Sequence, residues 1–216
     1  KYFTYEELEK KIKKLQTDKD GNLIILYAQN KDEQYTYIES AKEKGYEVLL
    51  LDSPIIPHLM QKLESKKEKI KFSRVDSDTL ENLIKKDEEV ISKLTDEEKE
   101  KLKPMIENAV ENEKYTVQLE ALDSNSMPFM LAQPEFMRRM KEMQQTGGGA
   151  MGNLPDMYSL IVNTNHELVG KILNTRTEKK RNSLIKQSID LAKLSQNNLT
   201  GKDLTEFINR SIDLIK

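Results

Sequence analysis

The sequence predicts a small α/β subdomain followed by an α+β domain with a C-terminal helical dimerisation bundle. In the first part of the chain, apolar strand-like runs alternate with helix-like segments. A run of alternating apolar and polar residues opens the second part, and two amphipathic segments end the chain. We place the boundary near Ile91, which gives modules of residues 1–91 and 92–216.

The first module is predicted to be a small parallel sheet with helices between its strands. A charged helix is expected over residues 4–15, and the turn Asp20-Gly21 leads into a buried strand at 22–27. The expected elements that follow are a helix from about 32 that ends before Gly45, a strand at 47–51, a helix around 56–63, a strand around 70–75 and a short helix around 79–86. This alternation is typical of an α/β layer.

The second module begins with a charged stretch, residues 87–103. Within it, Thr95 and Glu98 have the spacing of a capping box that opens a helix. The expected elements after it are a strand with one solvent-exposed face at 115–122, a short strand at 128–131, a methionine-rich helix, a strand at 158–162 and three helical segments. This order predicts an α+β module with a helical tail.

The two last helical segments carry apolar stripes that are wider than one packing partner requires. The candidate interface residues are Leu184, Ile185, Leu191 and Leu194 on residues 177–197, and Leu204, Phe207, Ile208 and Ile212 on the final helix. Two such helices can pair within one chain, or they can meet those of a second copy in a four-helix bundle. We favour the homodimer.

Methionine is concentrated in one part of the chain, because seven of the nine methionines lie in residues 127–157. There, residues 134–143 carry Phe136, Met140 and Met143 at helical spacings of four and three. Methionine is flexible and polarizable, so such a face can repack against many apolar partners. The same spacing is also typical of an ordinary core helix.

The surroundings of this helix favour an exposed interaction site. A proline precedes it, glycines 147–149 follow it, and it offers few polar residues that could fix it to a neighbouring element. We therefore expect soft attachment at both ends and contact of the apolar face with other proteins.

Composition excludes several classes of partner. Lysine and arginine number 35 against 37 acidic residues, so the net charge of −2 gives no general attraction to nucleic acid or to an anionic membrane. Cysteine is absent, which excludes disulfides and fits a reducing cytoplasm. No apolar run approaches the ~20 residues of a membrane span, and no signal peptide is evident. The chain starts at Lys1, so we expect a fragment of a cytoplasmic protein.

The sequence predicts no catalytic, cofactor-binding or metal-binding residue in this chain. His58 and His166 are the only histidines, and neither belongs to a cluster with metal-ligand spacing. We expect them at the surface or in a first helical turn. The glycine stretch 147–152 lacks the Lys-Ser/Thr pair of a P-loop. The acidic residues around Gly21 fit a turn better than a calcium loop.

Three runs, taken together in their order and spacing, resemble the bacterial 90 kDa heat-shock protein chaperones. They are GYEVLLLD (45–52), MRRMKEM (137–143) with its glycine tail, and LIVNTNH (160–166). The resemblance spans the whole chain and implies an ATP-driven chaperone that works as a homodimer on unfolded or partly folded client proteins, with co-chaperones as further partners. It also implies that ATP and Mg²⁺ bind to a nucleotide domain outside this sequence, so this fragment should not be an enzyme.

The same resemblance places residues 1–91 at the end of the middle domain and residues 92–216 in the C-terminal dimerisation domain. It matches residues 135–144 with the family's client-contacting helix. The implied client-binding residues on this helix are Phe136, Met137, Met140 and Met143. His58 stands where some relatives carry a tryptophan that touches clients, so His58 and Gln61 are further candidates.

Two other functions stay open. The α/β module could bind a small molecule or a nucleotide at the carboxyl ends of its strands, with the helical tail as a structural oligomerisation element. No glycine fingerprint follows the first strand, where residues 27–31 lead into a helix, and no basic phosphate clamp is evident. A purely structural oligomerisation module would dimerise without binding unfolded chains.

Overall fold

The computed structural model describes residues 2–87, 90–110, 114–147 and 157–215, except for the side chains of residues 142–147 and 214. The elements in chain order are α1 (Tyr5–Ile12), β1 (Leu23–Ala28), α2 (Tyr35–Glu43), β2 (Val48–Leu50), α3 (Ile56–Lys66), β3 (Ile70–Arg74), α4 (Leu80–Leu83), α5 (Asp96–Glu107), β4 (Tyr115–Glu120), β5 (Phe129–Ala132), α6 (Glu135–Gly147), β6 (Tyr158–Asn163), α7 (Glu167–Asn174), α8 (Glu178–Ser195) and α9 (Gly201–Ile215). The predicted mixture of small sheets and helices is confirmed.

The chain divides into two compact units. The first unit combines Lys1–Glu89 with Gln133–Leu154, and the second combines Val90–Ala132 with Pro155–Lys216. The sequence analysis assigned all of residues 92–216 to one domain, whereas α6 packs within the first unit. The reason is a set of ion pairs between α6 and the first unit, described below.

The sheet of the first unit is parallel, in the order β2-β1-β3. Its central strand β1 is buried along its whole length, which explains why residues 23–28 form a continuous apolar run rather than an alternating one. Ile25 and Tyr27 of β1 share one core with Ile12, Met60 and Phe72 from the surrounding elements. The predicted parallel sheet is therefore confirmed.

Local capping and turn chemistry fix the ends of these elements. The Asp18 carboxylate accepts backbone N–H groups of Asp20 at 3.0 Å and Asn22 at 2.7 Å, which closes the turn before β1 and confirms the turn interpretation. Gly45 follows the end of α2 with a φ of +76°, a left-handed conformation that favours glycine. The predicted end of this helix is thus confirmed.

The sheet of the second unit has the order β4-β6-β5, with β4 parallel and β5 antiparallel to β6. Helices α5, α7 and α8 supply Leu102, Ile106, Val169, Ile172 and Ile185 to the core that includes this sheet. The predicted strand at 115–122 ends two residues early. Leu122, the last residue of the predicted strand, donates its backbone N–H to the side chain of Asn163 on β6 instead of to a backbone carbonyl.

Two buried asparagines lie at the end of the central strand β6: Asn163 is its last residue, and Asn165 follows two positions later. Oδ1 of Asn163 accepts the backbone N–H groups of Leu122 at 3.2 Å and Asn165 at 3.0 Å, and its Nδ2 donates to the Asp123 carbonyl at 2.8 Å. Asn165 in turn accepts from the Lys93 N–H at 2.6 Å. These side chains replace backbone ladder bonds where β4 and β6 end.

His166 begins the next helix. Its Nδ1 accepts the backbone N–H of Leu168 at 3.0 Å, so the imidazole caps the N-terminus of α7. This confirms the expectation that His166 lies in a first helical turn. It also gives the run LIVNTNH a structural explanation, because its polar half ends a strand and caps a helix.

Candidate functional site

The methionine-rich helix, α6, turns its charged side towards the first unit and an aromatic residue towards solvent. Arg138 is only 3% exposed, whereas Phe136 is 69% exposed. An amphipathic helix on a protein surface normally buries its apolar side. In α6 the orientation is reversed over the first two turns, so an apolar side chain is left without a packing surface.

The reversed orientation depends on Glu135, whose carboxylate lies at the centre of an ion cluster. Its Oε1 accepts the Tyr27 hydroxyl at 2.7 Å, Arg138 Nη2 at 2.6 Å and Arg139 Nε at 2.7 Å. Its Oε2 accepts the backbone N–H of Arg74 at 3.2 Å. Arg138 also donates to the Tyr27 hydroxyl. The first turn of α6 is therefore bonded to β1 and β3.

Arg139 extends the cluster to α3. Its Nη1 donates to Glu64 Oε2 at 2.8 Å, and its Nη2 donates to Glu64 Oε1 at 3.3 Å and to the Phe72 carbonyl at 2.7 Å. Glu64 Oε1 also accepts the Phe72 N–H at 2.7 Å. A planar guanidinium with a carboxylate and a carbonyl around it is a strong, directional arrangement.

The protonation states of the cluster follow from these contacts. Burial raises the pKa of Glu135, but Arg138, Arg139 and the Tyr27 hydroxyl outweigh burial and hold that pKa below its ordinary value. Burial, and next the charge of Glu135, raise the pKa of the Tyr27 phenol. At neutral pH the cluster therefore contains an ionised Glu135, a neutral Tyr27 that donates its proton, and two cationic arginines.

The expectation that few polar residues fix the methionine-rich helix was wrong. Glu135, Arg138 and Arg139 stand at positions i, i+3 and i+4, so they share one helix face and all three bond to the first unit. This spacing was visible in the sequence, but the partners lie far away along the chain. The predicted soft attachment at the C-terminal end of the helix depends on glycines 148–149, which lie outside the described residues.

The other predicted client-binding residues of this helix differ in their exposure. Met137 and Met140 are partly buried, and the side chain of Met143 lies outside the described residues. Helix geometry separates Phe136 from Arg139 by ~60° and from Arg138 by ~160° around the axis. Because Arg139 reaches Glu64 on α3, Phe136 lies on the flank of α6 that is nearer to α3.

The outer face of α3 belongs to the same unit and is partly apolar. His58 and Gln61, the two candidates from the middle-domain resemblance, are both exposed. The sequence analysis missed Ile55 and Leu59, which are 66% and 48% exposed. Their spacing of four with a histidine between them was a helix-face signal, but exposure could not be deduced from it. The structure thus brings α3 and α6 together through the bond between Glu64 and Arg139.

The alternative function would place a ligand at the carboxyl ends of β1 and β3. The polar side chains at these ends already bond to one another. Arg74 donates to Asp76 at 2.5 Å and 3.1 Å and to Gln29 Oε1 at 3.1 Å. The backbone N–H of Gln29 is bonded to the side chain of Gln34 at 2.7 Å. Arg74 is already neutralised by Asp76, so this contact does not favour phosphate binding at the described part of the edge. The described ranges contain no cluster of three acidic or histidine side chains that could hold a metal ion.

The predicted interface residues of the tail fall into two groups. Leu191 and Leu194 of α8 are exposed, and so are Ile208 and Ile212 of α9. Leu184 and Leu204 are partly buried, and Phe207 is buried. Ile185 is fully buried in the core of the second unit, so it offers no surface to a partner, and its assignment to an interface is corrected. α8 packs on the sheet of its own unit, so part of its apolar stripe is already buried there.

A buried ion pair holds α9 against α8. Asp190 of α8 is 1% exposed and bonds to Arg210 of α9, with Lys186 at 3.5 Å from the same carboxylate. Gln187 adds a hydrogen bond of 2.9 Å to the Ser211 hydroxyl. This pairing joins the exposed apolar residues of the two helices into one structural element.

Comparison with known proteins shows which class of protein this chain resembles. No protein-family model matches the chain. Its curated relatives are molecular chaperones. Chaperone protein HtpG of Bacteroides thetaiotaomicron is 36% identical over 284 residues, with the whole of this chain and 42% of the relative covered. HtpG of Bacteroides fragilis (strain YCH46) is 35% identical with the same coverage. HtpG of Porphyromonas gingivalis (strain ATCC 33277) is 40% identical over 197 residues, with 89% of this chain and 29% of the relative covered.

Over its whole length the chain is similar to HtpG chaperones. It spans less than half the length of the relatives it matches. Within the described part of the chain, no helix is both long and apolar enough to cross a membrane.

Proposed function

We propose that this chain is the client-binding and dimer-forming part of a cytoplasmic, ATP-dependent chaperone. The observation that carries the proposal is the reversed orientation of α6, which presents Phe136 to solvent and buries Arg138. In this proposal the chain itself has no catalytic role, and ATP and Mg²⁺ bind elsewhere in the full-length protein. Its partners are a second copy, unfolded or partly folded clients, and co-chaperones.

The chemistry of the α6 surface suits clients that differ in sequence. Phe136 offers an aromatic ring, and Met137 and Met140 offer flexible thioethers that adapt to different apolar surfaces. Ile55, directly before α3, and Leu59 on α3 add exposed aliphatic groups in the same unit, beside His58 and Gln61. A surface with few fixed polar groups gives broad but weak recognition, since specificity usually comes from buried polar contacts.

The client-binding proposal predicts a large effect at Phe136. We expect Phe136→Ser to raise the Kd for a permanently unfolded, fluorescently labelled polypeptide by about tenfold, because burial of a phenylalanine ring contributes about 1.5–3 kcal/mol. Fluorescence anisotropy measures this Kd. Tyr35→Ser is the matched control, since Tyr35 is also an exposed aromatic residue of the first unit but lies on α2. Unchanged binding by the Phe136 variant, or equal loss in both variants, would contradict the proposal.

The dimer-forming role is supported by the exposed residues of α8 and α9. Leu191, Leu194, Ile208 and Ile212 are large aliphatic side chains on two helices that an ion pair holds together. Exposed apolar groups of this kind mark an interaction surface. A homodimer would also present two copies of the α6 surface to one client, which raises the effective concentration of the second site.

The dimer proposal predicts a change in mass. We expect the parental chain to have about twice its mass of 25.1 kDa by light scattering. Leu191→Glu and Ile212→Glu should each shift the protein towards the monomer over a dilution series, because each places a charge in the apolar interface of both copies. Phe207 is not suitable for this test, since a charge at this buried position would damage the unit itself.

Asn182→Glu is the control for the mass measurement. Asn182 is an exposed residue of α8 that lies ~180° around the helix from Leu191, so it adds the same charge on the opposite side. The control should remain a dimer. A monomeric parental chain, or a dimeric Leu191→Glu variant, would reject the proposed interface.

A further inference from the structure

The orientation of α6 requires an explanation in terms of competing interactions. A roll of about 100° around its axis, which is one residue step, would exchange Glu135 for Phe136 at the position that faces the first unit. Such a roll would bury an aromatic ring, and the hydrophobic effect favours that. Phe136 nevertheless stays outside, so specific polar contacts must favour the observed orientation.

The polar contacts that favour the observed orientation of α6 differ in what they do: one group anchors the helix, and the other opposes its rotation. Tyr27 and the backbone of Arg74 hold the first residue of α6 at one point, Glu135. Rotation around that point is opposed on one side by Arg138 and on the other by Arg139. The Arg139 side faces α3, and it is the direction in which Phe136 would move inward.

We propose that Glu64 is a positioning residue that, through Arg139, prevents α6 from burying its own client-binding side chain. Glu64 lies on α3 and touches none of the apolar side chains of α6 in its described contacts. Its bidentate bond fixes the guanidinium of Arg139 between α3 and β3, so α6 cannot roll towards α3 without breaking three hydrogen bonds of Arg139. The proposal rests on the client-binding function above, because it assigns a consequence to the exposure of Phe136.

Glu64→Gln tests the proposal with little change in shape. The amide oxygen of glutamine can still accept the Phe72 N–H, so the bond between α3 and β3 is retained while the charge that holds Arg139 is lost. Arg139→Gln removes the other partner. Glu39→Gln is the matched control, since Glu39 forms an exposed ion pair with Lys42 in the same unit.

Two measurements are needed. Hydroxyl-radical footprinting with mass spectrometry reports the exposure of Phe136 without any client, with the fully exposed Tyr2 as internal reference. Anisotropy titration of a permanently unfolded, labelled polypeptide reports the Kd. If the fraction of chains with an exposed α6 face falls to about one third, Phe136 reactivity and client affinity must both fall by about threefold, because the apparent Kd scales inversely with the competent fraction.

The expected result is a parallel fall of both quantities in Glu64→Gln and Arg139→Gln, with no change in Glu39→Gln. Unchanged or increased reactivity of Phe136 would overturn the proposal, since α6 would then be held by other contacts or would detach instead of rolling. Reduced reactivity with unchanged client affinity would overturn it as well. A parental chain that binds no unfolded polypeptide would reject the proposed function, whereas the footprint would still decide whether Glu64 sets the orientation of α6.

Discussion

Arg210→Met is expected to lower the free energy of unfolding of the second unit by about 3 kcal/mol, at the low end of the range for breaking a buried ion pair. The substitution keeps the aliphatic stem of Arg210 and removes its charge. The Asp190 carboxyl would then stay almost fully buried, with Lys186 at 3.5 Å as its remaining cation among the described contacts. An uncompensated buried carboxylate is costly, so α9 should separate from α8 before the unit unfolds.

Urea denaturation followed by circular dichroism measures the stability change, and amide hydrogen exchange locates it. Exchange should accelerate in α9 much more than in β6. Lys202→Met is the control on the same helix, because its ion pair with Glu206 is exposed, and it should unfold at the parental urea concentration. The double variant Asp190→Leu/Arg210→Met should recover most of the loss, since an apolar pair can replace a buried ion pair. No recovery would show that the charge of Asp190 is not the cause.

The dimer proposal gives this prediction a functional consequence. Leu191 and Leu194 lie on one helix, and Ile208 and Ile212 lie on the other, so the proposed interface needs both helices to stay paired. Arg210→Met should therefore weaken the homodimer although Arg210 is not one of the exposed apolar residues. A folded variant with intact dimer mass and a detached α9 would contradict the proposed interface.

Periodicity and capping in the sequence predicted most of the elements. Continuous apolar runs indicated the buried strand β1, alternation indicated β4, and the capping box of Thr95 and Glu98 is present at the start of α5. These signals are local, since they depend on residues within a few positions of one another. The end of β4 was misplaced because a side chain from another strand, Asn163, takes over the hydrogen bonding there.

The site was predicted less completely because its decisive contacts are distant in sequence. Glu135 bonds to Tyr27, which lies 108 positions away, and Arg139 bonds to Glu64 at a separation of 75. No periodicity connects such residues. The sequence therefore indicated an amphipathic helix with an exposed apolar face, but it could not show that charged residues fix another face of this helix to the first unit. Ile185 was misassigned for a related reason, because a wide stripe does not show which part of it the core uses.

A second large loss of stability is expected when Asn163, in the run LIVNTNH, is replaced by an apolar residue. Asn163→Leu has nearly the same shape but can neither donate nor accept a hydrogen bond. It would leave the N–H groups of Leu122 and Asn165 and the carbonyl of Asp123 without their present partner in a buried region. Each unsatisfied buried group costs about 1–3 kcal/mol, so we expect a loss of about 3–5 kcal/mol in the stability of the second unit.

The effect of Asn163→Leu should arise because the hydrogen bonds of Asn163 are buried, and not because an asparagine is lost as such. Asn174 at the end of α7 also donates a hydrogen bond from its side chain, at 2.9 Å to the Gly170 carbonyl, but it is exposed, so water can replace that bond in Asn174→Leu. Urea denaturation of both variants separates the two cases. A similar midpoint for Asn163→Leu and Asn174→Leu would show that the polar end of this run does not hold β4 and β6 together. A large difference would mean that the buried polar end of this run stabilises the second unit.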